Sequence, residues 1–193
     1  MKLAYIQTFA ESLCVEMQPY CTRIEIAGSI RRQCADCKDI EIVCIPRFEE
    51  REAPGTLFEK SIERVNLLRE WAANEAPLSW EKRGEKYWCG HWEAHGISVD
   101  IFMPSVENWG YIFMLRTGSA EFMKEVVTHA RRVGHHFDKG RLHLSGIPVE
   151  TREETDVFNA LGLAYVKPEN RNSARSLKIA ACQKSQKEAT RAD

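Results

Sequence analysis

The sequence predicts an α+β protein: a mixed β-sheet with helices on one face, followed by a small α/β subdomain, with the functional site in the cleft between them. Three observations carry this expectation. An amphipathic helical pattern opens the chain, strand-like segments follow at 23–27, 39–45 and 96–103, and Pro104 begins a stretch of helical patterns around a hairpin. The expected organisation is a first subdomain over residues 1–104, a second over 105–182 and a polar tail over 183–193.

Leu3, Ile6, Phe9, Ala10, Leu13 and Met17 recur at helical spacing, which predicts a helix ending near Pro19. Arg23 to Ala27 alternates with period two and stops at Gly28-Ser29, a strand delivered into a tight turn. Asp39-Ile40-Glu41-Ile42-Val43-Cys44-Ile45 is β-branched enough for a central strand, closed by Pro46. Residues 47–56 are charged and contain Pro54-Gly55, which predicts a surface loop; Leu57, Phe58, Ile62, Val65, Leu68 and Trp71 then mark a second amphipathic helix. A polar connection leads to strands over 86–92 and 96–103, the second carrying Asp100 between Val99 and Ile101. Beyond Pro104 the patterns predict helices around 106–115 and 119–133, a hairpin over 141–149 and a short helix near 153–161. His135-His136 reads as a solvated helix end, and Trp88, Trp92 and Trp109 as core residues.

The chain has 193 residues, 44% of them hydrophobic, enough to bury a core without staples. Its seven cysteines form no regular framework and no secretory leader opens it, so a reducing, cytoplasmic setting is expected. Its apolar runs fall far short of the roughly 20 residues that span a bilayer, so no membrane partner is expected. A net charge of −1 argues against bulk electrostatic coating of nucleic acid. The charge is uneven, however: residues 1–110 carry 13 Lys and Arg against 18 Asp and Glu, and residues 111–193 carry 14 against 10. The acidic part suits cations and the basic part phosphates.

Alternation along a strand puts Asp39 and Glu41 on one face while Ile40 and Ile42 point into the core. Two neighbouring carboxylates repel unless a cation holds them or one is protonated, and hard ions such as Mg²⁺ prefer carboxylate oxygen. Asp100, on a strand that could pair beside theirs, supplies a third acid. Three such acids can hold two metal ions roughly 3.5–4 Å apart, the geometry of an in-line displacement. At the preceding turn, Gly28 and Ser29 followed by Arg31-Arg32 offer amides, a hydroxyl and guanidinium forks suited to phosphate oxygens.

Gly28-Ser29-Ile30-Arg31-Arg32, Lys38-Asp39-Ile40-Glu41-Ile42-Val43 and Val99-Asp100-Ile101-Phe102 together resemble the palm signature of the DNA polymerase beta-like proteins, the X family of nucleotidyltransferases. Thr117-Gly118-Ser119, the Gly140-Arg141-Leu142 hairpin, the 150–158 segment, Leu161 to Tyr165 and Pro168 to Arg171 are similar to that family's nucleotide-binding subdomain, so the resemblance runs from roughly residue 5 to 172. It implies a nucleotidyltransferase palm over 1–104 and a thumb- or fingers-type nucleotide-binding subdomain over 105–182. It also implies that Asp39, Glu41 and Asp100 are catalytic and hold two Mg²⁺ ions, with Mn²⁺ able to substitute. Gly28, Ser29 and Arg32 would bind the outer phosphates, and Arg116, Thr117, Gly118 and Ser119 would flank the nucleotide.

The implied activity is DNA-directed nucleotidyl transfer from a dNTP to a 3′-hydroxyl, of the repair type. The expected partners are a nucleoside triphosphate and DNA, gapped or as primer-template, bound by a monomer. The sequence departs from the family pattern at Glu41, where an aspartate is usual, and at Leu115-Arg116, where aromatic residues are common. The Asp-x-Glu pairing also occurs in nucleotidyltransferases that modify small molecules, which keeps a small-molecule, tRNA or protein acceptor open as the alternative. With no preceding region to supply a lyase domain or helix-hairpin-helix pairs, a minimal form is expected.

Overall fold

The structure is a computed structural model that describes residues 1–53 and 61–177. Its larger sheet has five strands: β1 (Cys21–Ile26), β2 (Asp39–Pro46), β5 (Ser79–Arg83), β6 (Tyr87–Trp92) and β7 (Ile97–Phe102). Their spatial order is β1-β2-β7-β6-β5, and the sheet is mixed because only β2 and β7 run parallel. A parallel pair needs a long crossover. Here it contains a separate hairpin, β3 (Phe48–Ala53) with β4 (Ser61–Asn66), the helix α3 (Leu67–Asn74), and β5 and β6.

The first helix, α1 (Leu3–Met17), buries Ile6, Ala10, Leu13 and Met17 against one face of this sheet, and α3 adds Leu68 and Trp71. The sheet answers with Ile40, Ile42, Cys44, Ile97, Val99 and Ile101, the inward members of the alternation along β2 and β7. Trp88 is fully buried here. The opposite face bears the polar members of the same strands, and beyond them Val43 and Phe102 pack with Ala27, Trp109 and Phe113. That third cluster joins the sheet to α4 (Trp109–Thr117). A second core gathers α4, α5 (Ala120–Arg132), α6 (Glu154–Ala160) and the antiparallel sheet of β8 (His135–Asp138), β9 (Arg141–Leu144) and β10 (Ile147–Val149). Among the described residues no helix is long and apolar enough to cross a membrane.

The structure corrects four expectations. The charged run expected as a loop is β3, and the expected second helix is a strand over Ser61–Asn66 before it becomes α3; Pro54-Gly55, Leu57 and Phe58 lie outside the described residues. The hairpin forms because Glu50 opposes Arg64 and Arg51 opposes Glu63, while the Arg64 guanidinium lies 4.1 Å from the Phe48 ring centre. Asn66 then starts α3 by accepting a hydrogen bond from Arg69 N. Within the polar connection, Ser79–Arg83 is an edge strand whose pairing is broken by a bulge, and Trp80 is its one apolar residue. Finally, His135-His136 belongs to β8: Gly134, at φ +80, ends the helical region, and Phe137 turns inward to stack on Tyr111. The polar tail from residue 183 lies outside the described residues.

Candidate active site

The three acids meet on the face of the sheet away from α1 and α3. The register of β2 and β7 sets Glu41 beside Asp100 and Asp39 beside Ser98. Burial raises the Glu41 carboxyl to about 7, with Asp39 and Asp100 adding to the shift while Arg116 and Arg32 oppose it. Asp39 is raised by burial and then by Asp100. The Tyr87 hydroxyl donates to Asp100 Oδ1 at 2.6 Å, and this bond holds the phenol above its ordinary value.

The turn after β1 is the one-turn helix α2 (Gly28–Arg31). Gly28 has φ +64, and a Cβ there would collide with Glu41 Oε2, so the Glu41 carboxylate packs against the turn backbone. Ser29 Oγ is buried with no hydrogen-bond partner among the described residues, an unmet polar group in the turn expected to take phosphate.

Arg32 reaches across to the second subdomain, donating from Nη1 to Thr117 O at 2.7 Å and from Nε to Asn172 Oδ1 at 2.9 Å. Arg31 goes further: it grips Glu154 with two bonds of 2.7 and 2.8 Å, donates to Thr117 Oγ1 at 2.7 Å, and stacks on Phe113. Arg171, fully buried, grips Glu154 from the other side, and the Tyr165 hydroxyl donates to it at 3.0 Å. Burial works to raise Glu154, and hydrogen bonds from Arg31 and Arg171 overcome it, leaving its carboxyl at about 2. A second tie joins Arg23 to Glu153.

Of the segment expected at the nucleotide, Thr117 is buried and Ser119 Oγ caps α5 by accepting from Phe122 N at 3.2 Å. Gly118 has Phe122 and Met123 so close that a Cβ there would force them aside. Arg116 lies over the Phe102 ring, 3.8 Å from its centre, on the Glu41 side of the cleft. Sequence reasoning assigned no role to Tyr87 or to the pairing of Glu154 with Arg171, and it offered Arg31 to phosphate oxygens, whereas the structure commits Arg31 to Glu154 and Thr117. Alternation around buried Trp88 was the signal for Tyr87; no local pattern marks the network, because its members lie up to 140 residues apart, the span from Arg31 to Arg171.

Among the described residues no three carboxylate, imidazole or thiol groups form a ready-made metal cluster. The donor chemistry nevertheless fits a hard divalent ion. Asp39, Glu41 and Asp100 offer only oxygen, none is in a salt bridge among the described residues, and ionising Glu41 is opposed by its burial and its neighbours.

A five-stranded mixed sheet with acids on its open face, roofed by a smaller α/β unit, defines the class: this is a polymerase beta-like fold. Residues 113–172 match the sequence model of the DNA polymerase beta thumb. Among 226 matching solved chains is Leishmania infantum polymerase beta, in a crystal structure of a ternary P/T complex; the superposition has a TM-score of 0.61 at 20% identity and covers 88% of this chain and 74% of that one. No curated protein matches the sequence.

Proposed function

We propose that this chain is a DNA polymerase of the gap-filling or end-extending kind, moving a deoxynucleoside monophosphate from a dNTP onto a DNA 3′-hydroxyl. The observation that carries the reading is the convergence of Asp39, Glu41 and Asp100 beside a turn with an unsatisfied buried hydroxyl, Ser29 Oγ. The acceptor oxygen forms a bond to the α-phosphorus as the bond to the β-phosphate oxygen breaks, the proton of the hydroxyl passes to solvent water, and pyrophosphate leaves. Asp39, Glu41 and Asp100 would hold Mg²⁺, or Mn²⁺ in its place, which would neutralise the phosphates and lower the pKa of the attacking hydroxyl.

The chain's own residues do the positioning. Gly28 lets the turn approach the phosphates, Ser29 donates to them, and Arg32 exchanges Thr117 O for a phosphate oxygen when nucleotide enters. The segment from Arg116 to Ser119 flanks the nucleotide, and Tyr87 fixes the orientation of Asp100. Residues 1–104 act as the palm and 105–182 as the nucleotide-binding subdomain. The test is primer extension with Mg²⁺ on gapped duplex, open primer-template and single-stranded DNA, each with dNTPs or rNTPs. Template-directed addition supports the reading. No addition to any DNA, by protein that binds nucleotide and metal, moves the assignment to a small-molecule, tRNA or protein acceptor.

A further inference from the structure

A pocket of about 180 Å³ lies between the strands β6 and β7 and the turn of the β8–β9 hairpin. Three cations line it, Lys86, Arg116 and Lys139, and no carboxylate does; none of the residues of the Gly28–Ser29 turn contributes. The walls are built rather than incidental. Phe102 carries the Arg116 guanidinium and stacks on the Tyr87 ring with centroids 5.1 Å apart. Asn108 Nδ2 donates to Gly140 O at 2.8 Å, tying the hairpin turn to the start of α4.

That turn sets Lys139 at φ +46 and Gly140 at φ +76, as a two-residue hairpin connection requires. Glycine takes such values freely, whereas lysine there is uncommon, and its presence puts an ammonium at the pocket rim. Arg116 Nε is buried without a hydrogen-bond partner, and among the described residues none of the three cations is in a salt bridge. A buried donor without a partner is a configuration that an entering anion relieves, and the two exposed ammonium groups at the rim add attraction for it.

We propose that this pocket is a phosphate-binding subsite, with Arg116 presenting a planar fork and Lys86 and Lys139 closing on the anion. Its volume equals about six liquid waters and is below the roughly 300 Å³ at which drug-sized pockets begin, so it takes a phosphoryl group with a few waters. The phosphate comes free, as in pyrophosphate, or on a nucleic-acid strand. This subsite shares Arg116 with the nucleotide-flanking segment proposed above, whereas Lys86 and Lys139 have no part in that reaction.

The test follows the amide signals of Lys139 and Gly140 by NMR in the full chain without metal, titrated with inorganic pyrophosphate and, separately, with a short single-stranded oligodeoxynucleotide. At least one probe is expected to shift them. The double reversal Lys86→Glu with Lys139→Glu, at two exposed positions, is expected to weaken that binding by at least about tenfold, and Lys139→Ala to weaken it less. A response to pyrophosphate identifies free phosphate as a ligand. A response to the oligonucleotide alone identifies strand phosphates, with the salt slope falling by about two in the double variant. Signals that neither probe moves, or a double variant that binds like the parent, overturn the subsite. Because the readout is binding, a chain that transfers no nucleotide leaves this result standing, and Ser29→Ala is expected to leave the Gly140 response in place.

Discussion

At Gly28 two requirements coincide: the backbone sits at φ +64, and the Glu41 carboxylate occupies the space any side chain would need. Gly28→Ala therefore costs about 1–2 kcal/mol in backbone conformation alone and displaces Glu41. Turnover is expected to fall by about 10²-fold while circular dichroism stays native; activity retained at half or more removes Glu41 from the site. Asp39→Ala and Asp100→Ala are expected to lower transfer by at least about 10³-fold, measured as single-turnover addition. Unchanged turnover in either would sink the metal assignment. Glu41, whose burial lifts it to about 7, contributes oppositely to a stabilising acid. Folded-state affinity for its proton favours the native state below its ordinary value near 4.5, and that contribution is lost as pH rises through about 7.

Among the elements, α5 shows how one side chain can serve structure where sequence suggested ligand. Ser119 Oγ caps the helix, and its backbone N donates to Arg171 O at 3.0 Å. Ser119→Ala is expected to cost about 1 kcal/mol in urea unfolding, and Ser119→Asn to restore most of it. If both variants instead raise the nucleotide KM equally at unchanged stability, the hydroxyl belongs to the substrate. The β3–β4 hairpin shows the reverse lesson about charge: Glu50 with Arg64 and Arg51 with Glu63 made the run look like a solvated loop, yet opposed across two strands they hold a ladder. Nothing in a linear reading distinguishes these cases, because cross-strand partners are defined only once the register exists.

At the scale of the whole molecule, the two cores are joined through Glu154, which Arg31 approaches from the sheet side and Arg171 from within the second core. Removing one partner strands a buried charge, so Glu154→Ala is expected to destabilise by about 3–5 kcal/mol. The same group sets an acid limit. Its folded pKa of about 2 lies below its ordinary value near 4.5, so the stabilisation is complete above about 4.5 and drains away as pH falls toward 2. Unfolding free energy is expected to drop by roughly 3 kcal/mol across that window, and a Glu154→Gln chain, already weaker, should lose its share of that slope. An identical slope in parent and variant would show that Glu154 is not depressed.

The sequence by itself determined the local pieces. Period-two alternation put Ile40 and Ile42 in the core and Asp39 and Glu41 on the other face, helical spacing marked the buried side of α1, and the ordered motifs from Gly28 to Arg171 pointed to the polymerase beta-like fold. Those signals are readable because they depend on residues a few positions apart. Only the tertiary structure decided that Arg31 serves Glu154, that Tyr87 holds Asp100, that Thr117 is buried, and that Lys86, Arg116 and Lys139 share one pocket. Each of these joins side chains whose separation along the chain carries no period, and their energies arise from burial and charge pairing that exist only after the two cores have packed.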